Sequence, residues 1–254
     1  MSIETRLEGR LLRLTLNRPE KRNALDLATC TEITAALEEA DRDPKIGAVL
    51  LAGAGKSFCA GMDLSEAPHA DRTALADAHD KLFTIYDWVE KPLIAAVQGW
   101  AIAGGTGLAA NAHILIASEE AQFGLTEVKL GLWPVLIYPS IVRAVGERRA
   151  LELSLSGRFF SARDAEWYGL VNEVVTVDRL MDRALEIACE IANSSGAAVR
   201  LGLDYVRRIR GKSQYEALEI GRGVRDEIML HPDFAEGVAS FREKRAPVWP
   251  SHRI

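Results

Sequence analysis

Two stretches of this 254-residue chain carry residue types able to hold and move charge. The first, Ala101-Ile102-Ala103-Gly104-Gly105-Thr106-Gly107-Leu108, follows the apolar run Leu93–Val97 and opens the small-residue run Leu108–Ala112, a candidate helix start. Glycines at a strand-to-helix junction leave backbone N–H groups uncovered beside the positive end of a helix dipole, which suits a negatively charged oxygen. That oxygen is a phosphate, or the enolate or oxyanion of an acyl substrate. The second is Glu127, set between glycine-containing turns and flanked by Leu125, Val128, Leu130, Leu132 and Trp133. A carboxylate desolvated by such neighbours has a raised pKa and suits proton transfer. On spacing alone, a solvated surface glutamate is the competing reading.

Other motifs fall short of the chemistry they evoke. Gly53-Ala54-Gly55-Lys56-Ser57 ends like a phosphate-binding P-loop, but Leu50 stands where the first glycine is required. Gly105–Ala110 matches a dinucleotide fingerprint with Ala in the last place. However, the next strand, Ile114–Ala117, follows too soon for a full crossover helix, and Glu119 and Glu120 come too early for the ribose-binding acid. A nicotinamide oxidoreductase is therefore an outsider. The histidines His69, His79, His113, His231 and His252 show neither metal nor triad spacing, and His113 reads as a core or surface residue. No metal site is expected. No Gly-x-Ser-x-Gly elbow is present, which argues against a serine hydrolase of that type.

The elements that must position these groups alternate. Strands are expected at Arg10–Leu16, Ile46–Ala52, Leu93–Val97, Ile114–Ala117, Gln122–Gly124 and Val171–Val175. Helices are expected after Asp26 as N-cap to Asp43-Pro44, through Leu75–Val89 to Lys91-Pro92, and through Ile141–Arg143. A short one follows the Ser161/Asp164 capping box and ends at Gly169, and another follows Asp178 as its cap. Asn193-Ser194-Ser195-Gly196 is the best boundary, and everything after it reads helical. This order argues for an α/β protein with largely parallel pairing. A hydrophobic content of 48% with 26% charged residues is ordinary for a globular chain. The net charge of −5 gives no pull toward nucleic acid or anionic membranes. No basic-then-apolar leader opens the chain, and no run approaches the roughly 18 apolar residues a membrane span needs. Cys30, Cys59 and Cys189 lack metal-ligand spacing and fit a reducing compartment. A cytoplasmic protein is expected.

Several segments, taken in order, carry a more specific signal. They are Asn17-Arg18-Pro19 with Arg22-Asn23-Ala24-Leu25, Phe58–Leu64, Val97–Gly105 and Ala121–Glu127, then Gly157-Arg158 with Ser161-Ala162 and Ala165, Tyr168–Val171, and Phe241–Pro247. Their order and spacing resemble the crotonase (enoyl-CoA hydratase/isomerase) superfamily over essentially the full length. The resemblance implies a spiral of ββα units (ClpP-like) over residues 1–193, and a helical region over 194–254 that builds homotrimers, often paired into hexamers. It implies an acyl-CoA thioester substrate, with no metal or redox cofactor. It places the two backbone donors of an oxyanion hole at Met62 and Gly104, and CoA-binding positions at Arg22, Ala24, Ala60, Asp63 and Leu64. Arg22 is the phosphate candidate. Lys244 is either a CoA contact, possible on a neighbouring subunit, or a solvated terminal charge.

The two-glutamate hydratases of the superfamily have carboxylates at the positions of Gly107 and Glu127, so this chain keeps only the second. Its isomerases share the single-glutamate arrangement. The segment Glu127–Pro134, continuing through Pro139, Arg143–Gly146 and Glu147-Arg148, resembles the methylglutaconyl-CoA hydratase branch, whose members also lack the first glutamate. The expectation is an enoyl-CoA hydratase with Glu127 as general acid/base. A Δ3-Δ2 enoyl-CoA isomerase is the alternative, and a non-catalytic CoA-binding or scaffolding protein the reading from another class. Trp100, Trp133, Leu136, Ile137 and Tyr138 are pocket-wall candidates, with core packing the competing role.

Overall fold

Apolar runs without alternation form strands buried on both faces, and here they build the centre of a six-stranded sheet. A computed structural model describes residues 1–65 and 71–252; His69 lies outside them. Strand β1 (Ile3–Glu8) pairs antiparallel with β2 (Leu11–Leu16). A 3-10 turn at Pro19–Lys21 leads into α1 (Leu27–Arg42), capped by the Asp26 carboxylate, which accepts from the Thr29 N–H. Then come β3 (Ala48–Gly53), α2 (Arg72–Phe83), α3 (Ile85–Trp88), β4 (Leu93–Val97), β5 (Trp100–Ile102), α4 (Gly104–Ala110), β6 (Ile114–Ser118) and β7 (Gln122–Gly124). A second 3-10 turn at Glu127–Leu130 precedes α5 (Tyr138–Val145) and α6 (Glu147–Ser156). These are followed by β8 (Phe159–Ser161), α7 (Ala162–Tyr168), β9 (Glu173–Val175) and α8 (Leu180–Ala192). The chain closes with α9 (Gly196–Arg208), α10 (Gln214–Leu230) and α11 (Pro232–Glu243).

The large sheet runs β1-β2-β3-β4-β6-β9, parallel from β2 onward, and a smaller one runs β5-β7-β8. Strands β3 and β4 send alternate residues to opposite faces. Val49, Leu51, Leu93, Ala95 and Val97 join a core with α1, α2 and α4; Ala48, Leu50, Ala52, Ile94 and Ala96 pack on α8 through Leu180, Ala184, Ala188 and Ala192. This is the mixed α/β architecture expected, and among the described residues no strand follows α8. Among those residues, too, no helix is long and apolar enough to cross a membrane.

Three expectations need correction. The helix after the glycine stretch begins at Gly104, not Leu108, and closes at Asn111, because Ala103 turns the chain directly into the first helical turn. Asp178 does not cap α8: it lies within a 3-10 turn, Val177–Arg179, that runs straight into the helix, and Arg179 is the N-cap residue. The long helix up to Lys91-Pro92 is two helices. They part at Thr84, whose hydroxyl donates back to the Asp80 carbonyl at 2.7 Å and competes with the helical ladder.

Helix α9 is tied to the α3 segment by arginines. Arg207 Nη1 donates to the Val89 carbonyl at 2.8 Å, and Arg210 forms an ion pair with Asp87. The guanidinium groups of Arg143 and Arg210 lie 3.8 and 4.6 Å from the centre of the Tyr86 ring.

Candidate active site

The site is assembled where the loop after β3 meets the β5–α4 junction. Asn23, buried in the turn before α1, donates from Nδ2 to the carbonyls of Ala54 (2.9 Å) and Ser57 (2.8 Å) and accepts from the Arg18 N–H (2.9 Å). Its amide therefore fixes the start of the 54–65 loop. Arg18 adds ion pairs to Asp26 at 2.8 Å and Asp63 at 3.0 Å. Further on, the loop runs beside β5: Cys59 N donates to Trp100 O and Ile102 N to Cys59 O, both at 3.0 Å. A second bridge joins Leu25 and Met62 in parallel, using the Gly61 carbonyl and the Asp63 N–H. In a parallel bridge the central residue's own N–H points the other way, so the Met62 N–H faces away from Leu25.

Gly104 lies across from this loop as the first residue of α4, where an N–H has no intrahelical acceptor. The approach is close enough to demand glycine. A side chain at Gly105 would start 2.1 Å from the Cys59 carbonyl oxygen, and one at Gly61, whose φ is +86°, 2.7 Å from that of Ile102. Ala103 adopts φ 51° and ψ −119°, a conformation that alanine rarely takes and that is held by surrounding structure. Ala103 N donates to Gly124 O at 2.7 Å, and the Thr106 hydroxyl donates to Ala101 O at 2.6 Å while accepting from Gly124 N at 3.3 Å. Strand β7 is thereby stapled to the helix entrance, with Ile102 in register with Gly124. Continuing past that pair, the two chains deliver Gly104 on one side and Glu127 on the other.

Met62, Gly104 and Glu127 line one cavity of about 380 Å³, together with Ala60 and Leu64. Its far wall is the 130–137 segment, including Trp133, Leu136 and Ile137, and α2 supplies His79 and Phe83. Burial pushes the Glu127 carboxyl above its ordinary range, and Oε2 is enclosed with no hydrogen-bond partner among the described residues. A carboxyl in that state is suited to trading protons with a ligand. The first-glutamate position is closed. A Cβ on Gly107 would lie 2.2 Å from Ile137 Cγ2 and 2.5 Å from Ile137 Cβ, so Ile137 fills the space a second carboxylate needs.

Other expected site residues do not line this cavity. Arg22 is exposed in the left-handed conformation, with its carbonyl accepting from Ala60 N at 3.0 Å. The Ala24 carbonyl is taken by Arg18 Nη1 at 2.7 Å. The Asp63 carboxylate is held by Ser65 and Arg18, both of which keep its pKa below the usual carboxylate range. Lys244 is the exposed C-cap of α11. Of the wall candidates, Trp100 packs edge-on against Phe159 instead, and Tyr138 begins α5 beside Trp133. His113 is a core histidine: Nδ1 accepts from Leu93 N at 2.9 Å, and burial lowers its pKa to about 4. The sequence reading missed His79 and Phe83. Their only signal was a pair one helical turn apart beside the apolar stripe of α2, which passes for core.

Comparison with known proteins agrees with this architecture. The model of the enoyl-CoA hydratase/isomerase family matches residues 6–252, and the chain belongs to that family. It is 39% identical to a mevalonyl-coenzyme A hydratase of Aspergillus fumigatus, over 96% of this chain and 93% of that protein. It is 40% identical to a probable enoyl-CoA hydratase of Mycobacterium bovis, over 94% of each. The crystal structure of an enoyl-CoA hydratase from Bacillus anthracis superposes with a TM-score of 0.93 at 32% identity, covering 99% of this chain and all of that one.

Proposed function

We propose that the protein is an enoyl-CoA hydratase, a lyase that adds water across the 2,3 double bond of an acyl-CoA thioester. The observation that carries the reading is the Glu127 carboxyl, with its enclosed Oε2, sharing a cavity with Met62 and Gly104. The Met62 and Gly104 N–H groups hold the thioester oxygen and stabilise the enolate that forms as water attacks C3; each such donor contributes about 3 kcal/mol to transition-state binding. Glu127 accepts a proton from the attacking water and returns one to C2, so substrate and water give the 3-hydroxyacyl product with the carboxylate restored. The names of the relatives, an enoyl-CoA hydratase and a mevalonyl-CoA hydratase, support a CoA thioester substrate. The reaction as written needs no cofactor other than the CoA of the substrate itself.

The test is turnover of a panel of enoyl-CoAs by the pure protein. Glu127→Gln and Glu127→Ala are expected to lower kcat at least about a hundredfold, with little change in affinity for a saturated acyl-CoA. Wild-type rates in both variants would sink the reading. The closed space at Gly107 favours a second reading, a Δ3-Δ2 isomerase, in which one carboxylate carries a proton between two carbons. Following 3-enoyl-CoA loss against 2-enoyl-CoA hydration by thioester absorbance separates the two.

We further assign CoA contacts to Arg22, Ala24, Ala60, Asp63, Leu64 and Lys244, and the cytoplasm as the compartment. Residues 1–193 form the catalytic unit in this reading, and 194–254 the region through which three copies, or two sets of three, associate. The exposed apolar side chains of α10 and α11, among them Leu218, Met229, Leu230, Phe234 and Phe241, support that last assignment.

A further inference from the structure

We propose that His79 is a specificity-determining residue of this cavity, forming a hydrogen bond to an oxygen substituent (hydroxyl or carboxylate) on the acyl chain, beyond the carbons that react. The proposal deepens the acyl-CoA reading given above and rests on it. His79 lines the cavity, is only 8% exposed, and its Nε2 is enclosed without a hydrogen-bond partner among the described residues. Buried polar atoms are nearly always satisfied, so one left unpaired on a cavity wall marks where a ligand atom belongs. The cavity it shares is mostly apolar, lined by Met62, Leu64, Phe83, Leu130 and Leu132 among others, with Thr126 and Glu127 as its other polar side chains. A purely hydrocarbon chain would expel water from the cavity and leave the imidazole nitrogen without a partner.

Its position selects which part of the substrate it meets. Phe83, one helical turn along α2, brings its ring to within 3.1 Å of where a Gly104 side chain would begin, and so backs the oxyanion donor directly. The atoms nearest that point belong to Phe83, Gly61 and Leu25 and not to His79, whose ring centre lies 5.7 Å from that of Phe83. In this proposal the thioester oxygen sits at Gly104 and His79 meets an atom further along the acyl group. Burial pushes the imidazole pKa down, only partly opposed by Asp80, so the ring is neutral with one donor and one acceptor nitrogen. A hydroxyl matches Nε2 in either tautomer. A carboxylate matches the N–H form.

The test is equilibrium binding, by calorimetry, of three saturated short-chain acyl-CoAs of equal length: unsubstituted, ω-hydroxy and ω-carboxy. The wild-type protein is expected to bind one oxygenated chain about tenfold or more tighter than the unsubstituted one, and which one it prefers identifies the substituent. His79→Leu should abolish that preference while leaving the affinity for the unsubstituted chain unchanged or improved. His79→Gln, which keeps a hydrogen-bonding group, should retain part of it and serves if the leucine variant does not fold. Equal wild-type affinity for all three thioesters, or an equal loss for all three in the variants, overturns the proposal. Because none of these ligands can be hydrated, failure of the hydratase reading shows separately, as enoyl-CoA that binds without turning over.

Discussion

In the proposed mechanism Glu127, whose Oε2 is enclosed without a partner among the described residues, ties catalysis to a stability penalty whose sign can be worked out. Its pKa is raised from the ordinary 4.5 by burial, so folding disfavours the charged form. Below 4.5 the folded and unfolded chains are both protonated and the residue is neutral to stability. As pH rises, the unfolded chain ionises first; stability falls through the interval up to the folded pKa, and the full penalty remains above it. Glu127→Gln should therefore raise Tm at neutral pH, with the gain shrinking toward zero near pH 4 in a thermal-denaturation series. A gain that is constant across pH would contradict the desolvated carboxyl. Gly107 makes the complementary point. Because Ile137 occupies its Cβ space, Gly107→Glu alone should not produce a two-carboxylate site; it should destabilise the fold by about 1–3 kcal/mol or more through overpacking. Pairing it with Ile137→Gly should recover much of that loss in urea denaturation. The absence of a glutamate at 107 was legible in the sequence. Its cause was not, since residues 107 and 137 meet only through the fold.

At the level of elements, local patterning carried most of the architecture: the Asp26 cap, the Ser161/Asp164 capping box and the all-apolar β3 and β4 are features that neighbouring residues dictate. What escaped were elements whose residues carry no such pattern. Strand β1 is largely exposed and polar, and exists because it pairs with β2; β5 and β8 are three residues each, held by the smaller sheet. The loop that carries Met62 has no regular structure of its own and depends on the buried Asn23. Asn23→Leu removes both donors from the carbonyls of Ala54 and Ser57, and is expected to destabilise the protein by about 2–3 kcal/mol. By shifting the 54–65 loop, it should also lower kcat more than Glu127-independent CoA binding. Measuring Tm alongside kcat and the Kd of a saturated acyl-CoA checks both parts, and unchanged kcat in a folded variant would show that the loop does not need this anchor.

For the whole molecule, the apolar exposure of α10 and α11 carries the assembly prediction. Leu230 and Phe241 are each 85% exposed, which a stable monomer has little reason to maintain together on adjoining helices. Sedimentation should show a trimer or hexamer for the wild type, and the Leu230→Glu, Phe241→Glu double variant should shift it toward monomer. A monomeric wild type, or a variant that sediments unchanged, rules the assignment out. The arginine contacts between α9 and the α3 segment have a consequence in time. Arg207 and Arg210 are synthesised long after the Val89 carbonyl and Asp87 that they secure, and Tyr86 waits for Arg210 in the same way. During translation, the segment that continues from His79 and Phe83 therefore stays without this fastening until α9 has left the ribosome. A stretch made in the first third of the chain thus gains its last polar contacts only when the C-terminal helices are made.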